Sequence, residues 1–151
     1  MKELIKTFNG AGPIPANVEV AICAPDLYIN LLGDLRADIA MGAQNCGVNE
    51  KMGAYTGETN AAQLIDVGVT WVIIGHSERR EGFGMAGEDE ELCAKKLKVA
   101  LDAGLNVMFA IGEKKEEREN GTTMDVCAKQ LAPAAALLSE DDWKNVAIAV
   151  S

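Results

Sequence analysis

The residues with the clearest chemical potential are Gly75-His76-Ser77-Glu78-Arg79-Arg80, which follow directly on the apolar run Thr70-Trp71-Val72-Ile73-Ile74. Parallel α/β proteins place their chemistry just past the carboxyl ends of strands. Ser77 is expected to cap a short helix whose free amides point back toward the strand end. A histidine there meets the positive end of the helix dipole, which disfavours the imidazolium. The chemistry on offer is a neutral imidazole donating a hydrogen bond to a substrate oxygen. Glu78, Arg79 and Arg80 are expected to pair with neighbouring loops and stiffen the turn. The residues alone leave open a plainer reading, a structural histidine that satisfies a loop.

Other segments carry weaker signals. Gly82-Phe83-Gly84-Met85-Ala86-Gly87 matches G-x-G-x-x-G, but the seven residues Gly75–Glu81 separate it from the strand. A dinucleotide site joins strand to helix in one tight turn. The following helix also opens on Glu88, Asp89, Glu90 and Glu91, which would repel a pyrophosphate. These glycines read as a flexible loop, and an open nucleotide-binding module is the weakest functional hypothesis. Gly53-Ala54-Tyr55-Thr56-Gly57-Glu58 reads as an exposed loop tip, either an interaction surface or a plain turn. Glu113–Glu119 reads as a solvated face with local ion pairs, Gly112-Glu113 as a weak strand-end signal, and Gln44-Asn45 as a pair of loop-fixing amides.

The elements that position these residues follow from periodicity. Residues 2–9 read as the end of a helix with Leu4, Ile5 and Phe8 on one side. Val18–Ala24, Ile39–Ala43, residues 70–75, Leu105–Ile111 and Val146–Val150 read as buried strands. Helices are expected between them. One opens at Pro25-Asp26, with Asp26 as cap and Tyr28, Leu31, Leu32 and Leu35 at helical spacing. A second opens at Thr59-Asn60-x-x-Gln63 and stops at Gly68. A third spans 88–103 and ends at Gly104, its acids preceding Lys95, Lys96 and Lys98. The last opens at Thr122, and Pro133 must kink or end it. Strands alternating with helices give an α/β fold with a parallel sheet, either doubly wound or part of a (β/α)8 barrel.

Composition narrows the function classes. The chain has 151 residues, 48% of them hydrophobic, enough for one domain with a real core. Fourteen basic against 23 acidic residues give a net charge of −9. That balance argues against nucleic acid as a partner and gives no support for an anionic membrane. No apolar run approaches the ~18 residues of a membrane span. Met1–Lys6 carries charges where a signal peptide would be apolar, so secretion is not expected. Cys23, Cys46, Cys93 and Cys127 lie far apart without C-x-x-C and read as reduced, buried thiols of a cytoplasmic protein.

Taken together, Cys23-Ala24-Pro25, Gly42-Ala43-Gln44-Asn45-Cys46, Gly53–Glu58, Gly75–Arg80, Ile111-Gly112-Glu113 and Glu116–Glu119 before Gly121 closely resemble the triosephosphate isomerase family, in its order and at about its spacing. GHSERR after a strand, preceded by GAYTGE, is the specific part. The resemblance implies a single incomplete barrel domain over 1–151, with about five parallel strands and covering helices. It implies interconversion of dihydroxyacetone phosphate and glyceraldehyde 3-phosphate in glycolysis and gluconeogenesis, through an enediolate. On these terms His76 matches the neutral histidine that polarises the carbonyl oxygens, and Glu78 a carboxylate supporting a lysine. Ser77 and Arg79 are supporting residues. Thr56, with Tyr55 beside it, matches a loop that inserts into the partner of a homodimer. The substrate is a small phosphorylated triose, and no metal or organic cofactor is implied.

The sequence also departs from the family. A full barrel takes about 250 residues. The first strand, with its Asn and Lys, is expected before Met1, and the last two strands after Ser151. Ser151 aligns with the family's glutamate base, and Ala110 stands where cysteine is common. The expectation is a chain impaired in catalysis. The alternative is a non-catalytic truncated or partial-barrel product that keeps the dimer-interface loop.

Overall fold

The computed structural model describes residues 1–150; Ser151 lies outside them. In chain order the elements are α1 (Lys2–Asn9), β1 (Val20–Ala24), a 3-10 helix (Asp26–Asp34), β2 (Ile39–Ala43), α2 (Ala61–Asp66), β3 (Trp71–Ile74), α3 (Ser77–Glu81), α4 (Glu90–Ala103), β4 (Asn106–Ile111), α5 (Lys115–Glu119), α6 (Thr123–Leu137), α7 (Glu140–Trp143) and β5 (Val146–Val150).

All neighbouring strand pairs are parallel, and the sheet order β1-β2-β3-β4-β5 follows the chain. A doubly wound sheet reverses its order at a switch point. A monotonic order with one crossover hand keeps the helices on one face, as in a (β/α)8 barrel. The burial pattern agrees. Val72 and Ile74 of β3, and Val107, Phe109 and Ile111 of β4, are buried, whereas Trp71, Ile73, Asn106 and Met108 are half-buried. The buried set forms one core with Leu64 of α2, Cys93, Leu97 and Ala100 of α4, and Ala134 of α6.

Local chemistry explains the element ends. Asn60 Oδ1 accepts from the Gln63 amide and Gln63 Oε1 from the Asn60 amide, both at 2.9 Å, so α2 begins with a complete capping box. Asn60→Ala is expected to cost about 0.5–2 kcal/mol, read as a lower urea midpoint at unchanged slope. Gly104 ends α4 in the left-handed region (φ 100°).

Several local expectations need correction. The segment after Pro25 is a 3-10 helix, burying Ile29 and Leu32 at i, i+3 spacing while Tyr28 stays exposed. Asp26 caps nothing there; its Oδ2 accepts the Thr59 hydroxyl at 2.6 Å. α4 starts at Glu90 with Asp89 as its cap, which leaves Glu88 outside the helix. Of the two outcomes open at Pro133, only the ending is excluded: α6 runs on to Leu137, its last turn closed by the Leu138 amide on the Ala134 carbonyl at 3.0 Å. Cys46 and Cys93 are buried, but Cys23 and Cys127 only partly so.

Candidate active site

β3 delivers His76 through a sharp turn. Gly75 adopts φ 80°, and a Cβ there would lie 2.7 Å from Arg80 Nη2 and 2.8 Å from the Ala110 carbonyl oxygen. Both the left-handed backbone and the lack of space require glycine. Arg80 fastens the turn to the ends of two strands, donating from Nε to the Gly75 carbonyl (2.7 Å) and from Nη2 to the Ala110 carbonyl (3.2 Å).

His76, not Ser77, occupies the cap position of α3. Its Nδ1 accepts the Glu78 amide at 3.2 Å, the role expected of a serine hydroxyl. An accepting Nδ1 holds a lone pair, which places the proton of the neutral ring on Nε2. The Glu78 carboxylate lies 3.8 Å from Nδ1, beyond hydrogen-bond reach. The structure therefore presents a half-exposed imidazole with Nε2–H free to donate.

His76, Glu78 and Arg79 line a cavity of about 420 Å³ with Pro25, Asp26, Gln44, Asn45 and Ile73. Gln44 donates to the Cys23 carbonyl at 3.3 Å, and Asn45 accepts from Lys96 Nζ at 3.1 Å, so both amides fix loops as expected. Ser77 lies apart, on a larger cavity of about 700 Å³ that also touches Glu113 and Gln130. Gln130 holds both the amide (2.8 Å) and the carbonyl (3.0 Å) of Gly112. Tyr55 and Thr56 sit on the exposed loop between β2 and α2, away from His76. Among the described residues no group of three or more His, Cys, Asp or Glu is placed to hold a metal. Among the described residues no helix is long and apolar enough to cross a membrane.

The sequence reading missed a buried ionic cluster. Glu88 Oε1 accepts from Lys96 Nζ at 2.7 Å and from Arg79 Nε at 2.5 Å, and the Glu88 and Lys96 side chains are 5% and 7% exposed. The signal was present: Lys96 shares the apolar stripe of Cys93, Leu97 and Ala100 on α4, where a lysine needs a buried partner. Burial alone would push the Glu88 carboxyl up, but the hydrogen bonds from Lys96 and Arg79 outweigh it and hold it below its usual range. A carboxylate depressed on folding contributes stability that is fully present above its unfolded value of about 4.3 and is lost as pH falls through the folded value. The urea midpoint should therefore fall on acidification below that range, and Glu88→Gln should flatten this part of the profile. Burial pushes the Cys23 and Cys46 thiols up to about 11, so neither is a reactive thiolate near neutrality.

A parallel sheet in chain order, helices on one face and a polar cavity at the strand ends define an α/β protein of the (β/α)8 barrel type, here with five strands. The family model for triosephosphate isomerase matches residues 1–151, and the chain belongs to the triosephosphate isomerase family. It is 45% identical over 148 residues to the Candida albicans triosephosphate isomerase, covering 97% of this chain and 57% of that protein. It is 43% identical to the Saccharomyces cerevisiae enzyme, covering 99% of this chain and 58% of that protein. It is also 43% identical to the chloroplastic triosephosphate isomerase of Secale cereale, covering 99% of this chain and 48% of that protein. The chain thus spans about half the length of the curated relatives it matches.

Proposed function

We propose that the protein carrying this stretch interconverts dihydroxyacetone phosphate and glyceraldehyde 3-phosphate, with His76 donating from Nε2 to the substrate's carbonyl oxygen. The observation that carries the proposal is the Glu78 amide on His76 Nδ1, which fixes the proton on the ring nitrogen that is free to meet a ligand. As the carbonyl becomes an enediolate, negative charge grows on its oxygen and a preset donor gains strength. Glu78 is the carboxylate that would support a lysine at this site. Arg79 holds the turn through Glu88, and Ser77 opens α3 beside the cap. Tyr55 and Thr56, exposed on their loop, supply the contact surface of a homodimer. Four free thiols fit a reducing compartment, so we place the protein in the cytoplasm.

The test is a titration of the whole protein that carries this stretch with dihydroxyacetone phosphate, followed through the imidazole resonances of His76. His76 is the one histidine of the stretch, and its signal is identified by its loss in His76→Gln. A saturable shift of the Nε2–H signal is expected, together with loss of binding in His76→Gln. An imidazole that ignores the ligand at saturating concentration overturns the reading.

A further inference from the structure

α3 carries His76 at its start but has only five residues, none of them buried. A single helical turn is not stable by itself, so other contacts must hold it. The Arg80 bonds to the Gly75 and Ala110 carbonyls tie it to the strands. The other tether reaches α4. Glu88 accepts Arg79 Nε at 2.5 Å, and its own amide donates to the Arg79 carbonyl at 2.9 Å, so one residue grips Arg79 by side chain and main chain. The Arg79 amide in turn donates to the His76 carbonyl at 2.9 Å. The same Oε1 of Glu88 also accepts from Lys96 Nζ, which donates as well to Asn45 in the wall of the cavity.

We propose that Glu88 is a positioning residue for His76, gripping Arg79 so that the α3 turn stays locked to α4 and to the loop after β2. This rests on the reading of His76 as the ligand-facing donor. A buried ion pair adds little stability over a packed apolar pair. What it does supply here is a charged anchor for a turn that has no apolar one. With the anchor in place, the Glu78 amide stays on Nδ1 and the proton on Nε2.

Imidazole nitrogen resonances of the single histidine test this. In the parent chain the protonated and lone-pair nitrogens should resonate far apart, as in a fixed tautomer. In Glu88→Gln/Lys96→Met, which leaves no buried charge unpaired, the two signals should move toward each other as the tautomers exchange. Arg79→Met cuts the same tether from its half-exposed end, and should give the same collapse even where the double variant does not fold. Leu97→Ala, a cavity in the same helix, should lower stability and leave the imidazole spectrum unchanged. Parent-like splitting in folded Arg79→Met or in the folded double variant overturns the proposal, as does a collapse in Leu97→Ala. The two readings also separate. If the variants shift the imidazole but dihydroxyacetone phosphate does not, the substrate assignment fails and the tether stands. If the ligand shifts it and the variants do not, the tether fails alone.

Discussion

Glu88→Ala should lower the stability of the fold by about 3–5 kcal/mol. The substitution removes both the Lys96 and Arg79 contacts, but the two partners respond differently. Arg79 is 42% exposed and can turn to water, whereas the Lys96 side chain is 7% exposed and keeps only the Asn45 oxygen at 3.1 Å. The cost is mainly that of a stranded ammonium. Urea unfolding followed by circular dichroism should give a lower midpoint with an unchanged slope. Replacing Glu88 and Lys96 together should recover much of the loss. Lys95→Ala, on the exposed side of α4, should fall within about 0.5 kcal/mol of the parent. A Glu88→Ala loss below about 1 kcal/mol would mean that water reaches Lys96 and that the cluster is not sealed.

Phe109→Ala should cost about 3–5 kcal/mol, as expected when a wholly buried ring leaves a cavity. Phe109 is the largest fully buried side chain, at 0% exposure in the middle of β4. Its ring also supports the Arg80 guanidinium, 5.8 Å from the centroid. Losing it should therefore loosen the turn at Gly75 as well as the core. The matched control is Phe83→Ala: Phe83 is 69% exposed in the loop before α4, and its loss should shift the urea midpoint little. Equal effects at the two positions would contradict a core centred on Phe109.

The strands were legible because each is a short apolar run, and Ile39–Ala43 and Val146–Val150 match in full. Their surroundings were less so. The short helices α5 and α7 escaped notice because a single turn leaves no periodic stripe; α7 is marked only by the Ser139–Asp142 capping box. The 3-10 helix after Pro25 has nearly the same apolar spacing as an α-helix, and only its backbone hydrogen bonds, three residues apart as in Tyr28 amide to Pro25 carbonyl, distinguish them. At the site, GHSERR named the turn and its histidine but not which atom caps the helix. That depends on ring orientation, which the serine next door obscured. Glu88 looked like one more acid at a helix start, and its partners Arg79 and Lys96 lie nine and eight residues away in opposite directions. Local propensity rules do not span that distance.

The single-file order of the sheet has a consequence for how the molecule comes into being. Each of β2 to β5 hydrogen-bonds the strand made just before it, so none of these four pairings waits for a distant partner. β3 and β4 begin 35 residues apart, at Trp71 and Asn106, which a ribosome working at about 5–20 residues per second delivers in roughly two to seven seconds. Helix formation and loop closure take microseconds or less. Each β-α unit therefore has ample time to settle on its predecessor, and the order of synthesis becomes the order of assembly.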